Sequence, residues 1–206
     1  SGNVQNILEK RPEYMVLSKV DDLKKFLEKK ITIIAGPGTT NYSRLNEILE
    51  IIYNDETNLI LDAACIEIVK SKKFSCLPII TPHEGEAAKL LGINVDEISN
   101  KREYYAQKIS DKFSVITVLK GYETIITDGN KIYICKDGDS SLAFAGSGDI
   151  LAGLIGSFLA QGAKRIDSCL LGVSIHAYSA TNSKLKRGLT ANAVSYTHLT
   201  LPTIAL

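Results

Sequence analysis

The stretch "LPIITPHEGEAAKLLG" (residues 77–92) joins an apolar run to an amphipathic segment through a short polar turn. The run at 77–81 does not alternate between apolar and polar residues, and this pattern is typical of a strand that is covered on both faces. Pro82 ends the strand because it has no N–H to donate to a ladder. Glu84 and Glu86 then predict the start of a helix over 84–92, since acidic residues favour the first turn.

The same alternation of strand and helix continues along the chain. Further strands are predicted at 15–17, 31–36, 58–63 and 114–121, with amphipathic helices near 41–53 and 96–111. This order predicts an α/β fold with a mostly parallel sheet between two layers of helices. Residues 123–138 carry two strands around an Asp-Gly-Asn turn, which predicts an antiparallel hairpin. Helices at about 148–161 and 164–184 then complete a single domain over 1–194.

Composition narrows the class of partner. The 206 residues include 24 basic and 23 acidic side chains, so no broad electrostatic field attracts nucleic acid or an anionic membrane.

The apolar run from Ile150 to Ala160 is about half the length that a membrane span needs, and we expect a buried helix there. Four cysteines without a CxxC pair predict neither a zinc site nor a disulfide framework, which favours a reducing cytoplasm. We expect small-molecule partners.

Both ends of the chain have an unusual sequence. It opens with Ser-Gly and shows no signal-peptide pattern. The last stretch, "SYTHLTLPTIAL" (195–206), changes character abruptly, and we expect it to be a non-native tail outside the fold.

The segment "AGSGD" (145–149) leads into a helix and predicts an anion pocket. Gly146 and Gly148 let the backbone approach a ligand closely, and the first N–H groups of a helix have no partner within it. Asp149 has two interpretations that the sequence leaves open. It is either an N-cap of the helix or a general base that takes a proton from a substrate hydroxyl during phosphoryl transfer.

In open α/β sheets ligands bind at the carboxyl ends of the strands, where we expect the segment 145–149 to lie. Two other turns follow predicted strands and fall at the same edge of the sheet. Glu86 either caps its helix or holds Mg²⁺ through water, and His83 either contacts substrate or is structural. Lys120 and Gly121 follow a strand, where they could hold a nucleotide. "AGPG" (35–38) is an ordinary tight-turn sequence, and neither GxGxxG nor GxxxxGK[ST] occurs, which argues against a dinucleotide-binding Rossmann motif or a P-loop.

These motifs together resemble the ADP/ATP-dependent NAD(P)H-hydrate dehydratase family, which is similar in fold to ribokinase-like kinases. The resemblance covers most of residues 10–194 and rests on "AGPG", "LDAACI" (61–66), "TPHEGEAAKLLG" (81–92), "VLKGYETIITDG" (118–129), "AGSGDILAGLIGSFLAQG" (145–162), the helix with His176, and "RGLTANAV" (187–194). It implies a three-layer sandwich. It also implies repair of hydrated NADH or NADPH, in which ADP or ATP phosphorylates the hydroxyl and phosphate is then eliminated.

The resemblance also implies roles for individual residues. Asp149 activates the substrate hydroxyl, and the anion hole is formed by Gly146, Ser147 and Gly148, the last of which also lies against the nucleotide. The phosphate part of the nucleotide is held by Lys120, Gly121, Tyr122, Glu123 and Thr124. The substrate is touched by Gly38 and His83, and Mg²⁺ is organised by Glu86. A homo-oligomer, often a tetramer, is a further implication.

The chain departs from the family pattern in three places. Ala64 replaces the second acid of a DADAL-like run, although Asp62 matches. Tyr122 and Glu123 occupy a turn that is usually built from small residues. The front strand and helix units of the family have no counterpart here, so we expect an N-terminally truncated domain. A vitamin-precursor kinase with the same aspartate, or a non-catalytic nucleotide-binding fragment, are the alternative functions.

Overall fold

The computed structural model describes residues 31–39, 47, 48, 50, 57–137, 142 and 144–182. Within them six strands form one sheet whose spatial order follows the chain. They are β1 (Thr32–Ala35), β2 (Asn58–Leu61), β3 (Ile79–Ile80), β4 (Ile116–Leu119), β5 (Thr124–Thr127) and β6 (Ile132–Cys135). Strands β1 to β4 are parallel, whereas β5 and β6 are antiparallel to their neighbours. The predicted parallel sheet with an added hairpin is therefore confirmed.

Helices cover both faces of this sheet. They are a 3-10 helix (Ala63–Lys70), α1 (Glu84–Leu91), α2 (Val95–Asn100), α3 (Arg102–Phe113), α4 (Ser147–Ala160) and α5 (Arg165–Asn182). The 3-10 helix and α1 to α3 pack on one face, and α4 and α5 pack on the other. This arrangement gives the three layers that the sequence predicts.

Strand β2 shows why its sequence is apolar at every position. Successive side chains of a strand point to opposite faces of the sheet. Leu59 and Leu61 belong to the core cluster under α1 to α3, while Ile60 belongs to the cluster under α4 and α5. All three side chains are buried because each face has its own helical layer. The continuous apolar run is thus the signature of a two-sided core.

The structure corrects several predicted boundaries. The predicted helix over 96–111 is two helices, since Lys101 (φ −143°, ψ 52°) leaves the helical region between α2 and α3. The strand expected over 58–63 ends at Leu61, and the chain turns through Ala63 (φ 46°) into a 3-10 helix that the periodicity did not reveal. Helix α4 begins at Ser147, one residue before the predicted start.

Some predictions lie outside the described residues. They are the strand at 15–17, most of the helix near 41–53, the segment 187–194 and the tail at 195–206. In the part of the chain that is described, no helix combines the length and apolarity needed to cross a bilayer. All four cysteines are free, and burial, aided by the charge of Asp62, raises the pKa of the Cys65 thiol to about 11.

The contact between α4 and α5 generates a prediction about stability. A Cβ atom on Gly172 would lie 2.7 Å from Ile155 Cγ1 and 3.1 Å from the Ile155 backbone nitrogen. Gly172→Ala should therefore force the helices apart and lower the free energy of unfolding by about 1–3 kcal/mol. Urea unfolding followed by circular dichroism measures this change.

Gly153→Ala is the matched control, because it makes the same change in the partner helix α4 where nothing lies within 4 Å of a new Cβ atom. Alanine should raise stability there by about 0.5–1 kcal/mol, since glycine loses more backbone freedom on folding. Equal effects of the two substitutions would contradict the close packing at Gly172.

Candidate active site

A cavity of about 610 Å³ opens at the carboxyl edge of the sheet, beside the start of α4. This is the edge at which open α/β sheets bind ligands. The lining comes from the loop after β3, the turn after β4, residues between β6 and α4, and helices α4 and α5. Its residues are His83, Lys120, Gly121, Tyr122, Glu123, Thr124, Asp137, Leu142, Phe144, Ser147, Gly148, Leu151, Val173, His176 and Ala177.

A buried carboxylate joins the ends of three parallel strands beside this cavity. Asp62, which follows β2, is only 2% exposed. Its Oδ1 accepts a hydrogen bond of 2.7 Å from Thr81 Oγ1 and lies 2.8 Å from Lys120 Nζ. Charge-assisted bonds of this kind offset the cost of burying a carboxylate. Asp62 therefore fixes where the Lys120 ammonium lies.

The first turn of α1 is closed by a reciprocal cap. His83 is the N-cap residue, and its Nδ1 accepts from the backbone N–H groups of Gly85 (3.0 Å) and Glu86 (3.3 Å). Glu86 Oε2 in turn accepts from the His83 N–H at 2.8 Å and lies 3.9 Å from Lys120 Nζ. Glu86 thus caps its helix, and because the same carboxylate also faces the lysine, capping does not prevent it from taking part in the site.

The start of α4 brings the anion-pocket residues against this group. Gly146 is the N-cap residue in the left-handed region (φ 89°), so Asp149 is not the N-cap that one interpretation of the sequence made it. A Cβ atom on Gly148 would lie 3.2 Å from Lys120 Nζ and 3.6 Å from Asp62 Oδ2. Glycine therefore lets the helix start approach the Asp62–Lys120 pair.

Asp149 is exposed in the first turn of α4, and it is not one of the residues that line the cavity. Its neighbour Gly148 does line the cavity. The residue is therefore exposed to solvent instead of being turned into the protein interior.

A buried contact between Ser147 and His176 forms part of the cavity wall. Ser147 Oγ lies 3.2 Å from His176 Nε2, and the two residues are 7% and 8% exposed. The sequence placed Ser147 in the anion hole but gave His176 no role. No local pattern pairs a histidine of the last helix with a serine 29 positions earlier.

The structure separates the two glycines of "AGPG". Gly38 (φ 67°) is exposed and is not among the cavity-lining residues, unlike the other predicted substrate contact, His83. Gly36 (φ 126°) is buried, and a Cβ atom on it would lie 1.7 Å from the Asp62 carbonyl oxygen. The structural requirement for glycine in this turn is therefore at position 36.

All six residues predicted to hold a nucleotide line the cavity, namely Lys120 to Thr124 and Gly148. The Tyr122 side chain is 80% exposed. Glu123 adopts a positive φ of 55°, a conformation that is uncommon for residues other than glycine. The turn thus lines the cavity with Tyr122 and Glu123, at positions where the family pattern usually has small residues.

Comparison with known proteins places this arrangement in a family. A family model described as NAD(P)H-hydrate dehydratase matches residues 1–200. The bifunctional NAD(P)H-hydrate repair enzyme Nnr of Coxiella burnetii is 32% identical over 182 residues, which are 86% of this chain and 37% of that protein. The ADP-dependent (S)-NAD(P)H-hydrate dehydratase of Neisseria meningitidis is 38% identical over 118 residues, covering 57% of this chain and 40% of that protein. The chain thus spans about two fifths of the length of these relatives.

Solved structures agree on the fold. The ADP/ATP-dependent NAD(P)H-hydrate dehydratase of Bacillus subtilis, co-crystallised with ATP and Mg²⁺, superposes with a TM-score of 0.82 at 25% identity over 95% of this chain and 73% of that chain. A ribokinase-like superfamily protein of Enterococcus faecalis also has a TM-score of 0.82, at 22% identity over 95% of this chain and 72% of that chain. The predicted ribokinase-like architecture is confirmed. Because the family model covers nearly the whole sequence, this chain belongs to the NAD(P)H-hydrate dehydratase family.

Proposed function

We propose that the chain takes part in the ADP- or ATP-dependent dehydration of hydrated NADH and NADPH. The observation that carries this proposal is the junction of the 120–124 turn with the glycine-rich start of α4 at one cavity, in a member of this family. A nucleotide phosphate on the turn and a substrate hydroxyl beside Asp149 could meet there. The cavity volume of about 610 Å³ falls within the range of small-molecule sites.

The first step is phosphorylation of the substrate hydroxyl. Asp149 takes the proton, the oxygen forms a bond to the terminal phosphorus of the nucleotide, and the bond from that phosphorus to its bridging oxygen breaks. Backbone N–H groups in the first turn of α4 face the developing negative charge, and the Lys120 ammonium lies beside Gly148. The donors are held in place before the reaction, so they need no reorganisation during it.

The second step is elimination of phosphate. The phosphate leaves with both electrons of the carbon–oxygen bond and takes up a proton from the neighbouring ring carbon, whose C–H electron pair forms the ring double bond. Phosphorylation serves this step because phosphate is a far better leaving group than hydroxide. The apolar wall of Leu151, Val173 and Ala177 would limit water beside the ring.

Glu86 is the residue we assign to Mg²⁺. Among the described residues no group of three or more acidic, histidine or cysteine side chains could hold a metal. A single carboxylate nevertheless suits magnesium, which keeps several waters and binds nucleotide phosphates. The ion would neutralise phosphate charge. The resemblance further supports a homo-oligomer, as a tetramer, and the pattern of the four cysteines supports a cytoplasmic location.

Turnover by the 206-residue chain tests the proposed reaction. Incubation with hydrated NADH, Mg²⁺ and either ADP or ATP should regenerate the near-ultraviolet absorbance of reduced nicotinamide. A kinase that retains its phosphorylated product would consume nucleotide without this absorbance, and a binding fragment would do neither. Either of those outcomes would contradict the dehydratase assignment for this chain.

Asp149→Asn tests the assigned base. The amide cannot accept the proton, so kcat should fall by about 10²–10⁴-fold, while the dissociation constant of the nucleotide, measured by calorimetry, should change less than about twofold. Asp167→Asn is the matched control, because it removes an acidic residue from the first turn of the neighbouring helix α5. Comparable kcat values for both variants would rule out Asp149 as the base.

A further inference from the structure

One guanidinium group contacts the backbone of the cavity-lining turn at 120–124. Arg102 is the first residue of α3, and its side chain is 15% exposed. Its Nη2 donates to the carbonyl oxygens of Leu119 (3.4 Å) and Lys120 (3.3 Å), and its Nη1 donates to that of Tyr122. One side chain thus engages three carbonyl groups within four consecutive residues.

An acidic partner fixes the orientation of this guanidinium. Arg102 Nε lies 3.0 Å from Glu84 Oε1 in the first turn of α1. The other carboxylate oxygen of Glu84 accepts a hydrogen bond of 2.6 Å from Ser99 Oγ in α2. The contact is an ion pair without a hydrogen bond, since Arg102 Nε has no hydrogen-bond partner among the described residues. It holds the base of the planar fork near Glu84, and the two terminal nitrogens donate to the turn.

The turn has the backbone geometry that this approach requires. Gly121 has a φ of 143°, and a Cβ atom on it would lie 2.7 Å from Arg102 Nη2. Glu123 has a φ of 55°. Conformations of this kind persist where surrounding contacts hold them. Arg102 supplies such contacts on both sides of the turn, at the carbonyls of Lys120 and Tyr122.

The planarity of the peptide group links these contacts to ligand binding. In a trans peptide the N–H points away from the C=O. When Arg102 draws in the carbonyls of Lys120 and Tyr122, the N–H groups of Gly121 and Glu123 must point away from it. In the described part of the chain neither N–H has a backbone acceptor, whereas the N–H of Lys120 donates to Pro82 O at 2.8 Å.

We propose that Arg102 is a positioning residue that aims the N–H groups of Gly121 and Glu123 at an anionic group of the nucleotide. The inference rests on the proposed function, because it names how that site would recognise phosphate. Backbone N–H groups that point to the same side of a turn can form a concave anion site. Both residues line the cavity, and Arg102 itself need not touch the ligand.

Calorimetric titration of the 206-residue chain with MgADP and MgATP tests this inference. Arg102→Met removes every donor at similar length and should raise both dissociation constants at least tenfold, about the effect of losing one charge-assisted hydrogen bond. Arg102→Lys keeps the charge without the fork and should give an intermediate loss. Lys101→Met is the matched control, since it removes the adjacent exposed cation and should change affinity less than about twofold.

Amide NMR separates positioning from simple stabilisation. In the unmodified chain the amide signals of Gly121 and Glu123 should move on addition of MgADP, and in Arg102→Lys these shifts should be smaller. Should Arg102→Met fail to show a cooperative melting curve, Arg102→Lys decides. Unchanged dissociation constants in Arg102→Lys, or amide shifts equal to those of the unmodified chain, would overturn the inference alone. No nucleotide binding by the unmodified chain would overturn the proposed function and the inference with it.

Discussion

The contact between the Asp62 carboxylate and the Lys120 ammonium connects the fold to the site. Asp62 is buried at the end of β2, and its lysine partner comes from the end of β4, two strands away in the sheet. Thr81, at the end of the strand between them, donates to the same carboxylate oxygen. Removing the lysine would leave a buried charge without its counter-ion, a situation that costs about 3–5 kcal/mol in proteins. The same ion pair therefore stabilises the sheet edge and places a cation beside the cavity.

The other parts of the site are arranged around that cation. Gly148 brings the start of α4 close to the lysine amine, and Glu86 faces the amine from α1. Arg102 approaches from α3 and contacts the lysine's own carbonyl. Elements from both helical layers thus meet at one residue of the sheet. A small shift of β4 relative to its neighbours would displace several of these groups together.

The sequence predicted the order of strands and helices because that order depends on local patterns. The continuous apolar run of β2 indicated a core on both faces of the sheet. The polar residues after each strand indicated the edge of the sheet at which the cavity lies. The interruption at Lys101 escaped prediction because both flanking segments have acceptable helical periodicity. The 3-10 helix after Asp62 was not predicted because its apolar residues pack in a turn that follows neither the helical nor the strand periodicity.

For the site, sequence reasoning identified residues but not their partners. His83 and the 120–124 turn do line the cavity, whereas Gly38 is exposed outside its lining. The contacts of Asp62 with Lys120 and of Ser147 with His176 join positions 58 and 29 residues apart, and only the folded chain brings them together. Arg102 had no sequence signal, since an arginine at a helix start is ordinarily a solvated side chain.

Gly36 restricts how this domain can diversify. The absence of a side chain there allows the first described strand to pass directly over the Asp62 carbonyl, closer than any Cβ atom could lie. A chiral residue at this position would have to displace the backbone that carries the carboxylate, and the lysine would move with it. The point at which the chain leaves β1 is therefore sterically fixed by a residue without a side chain.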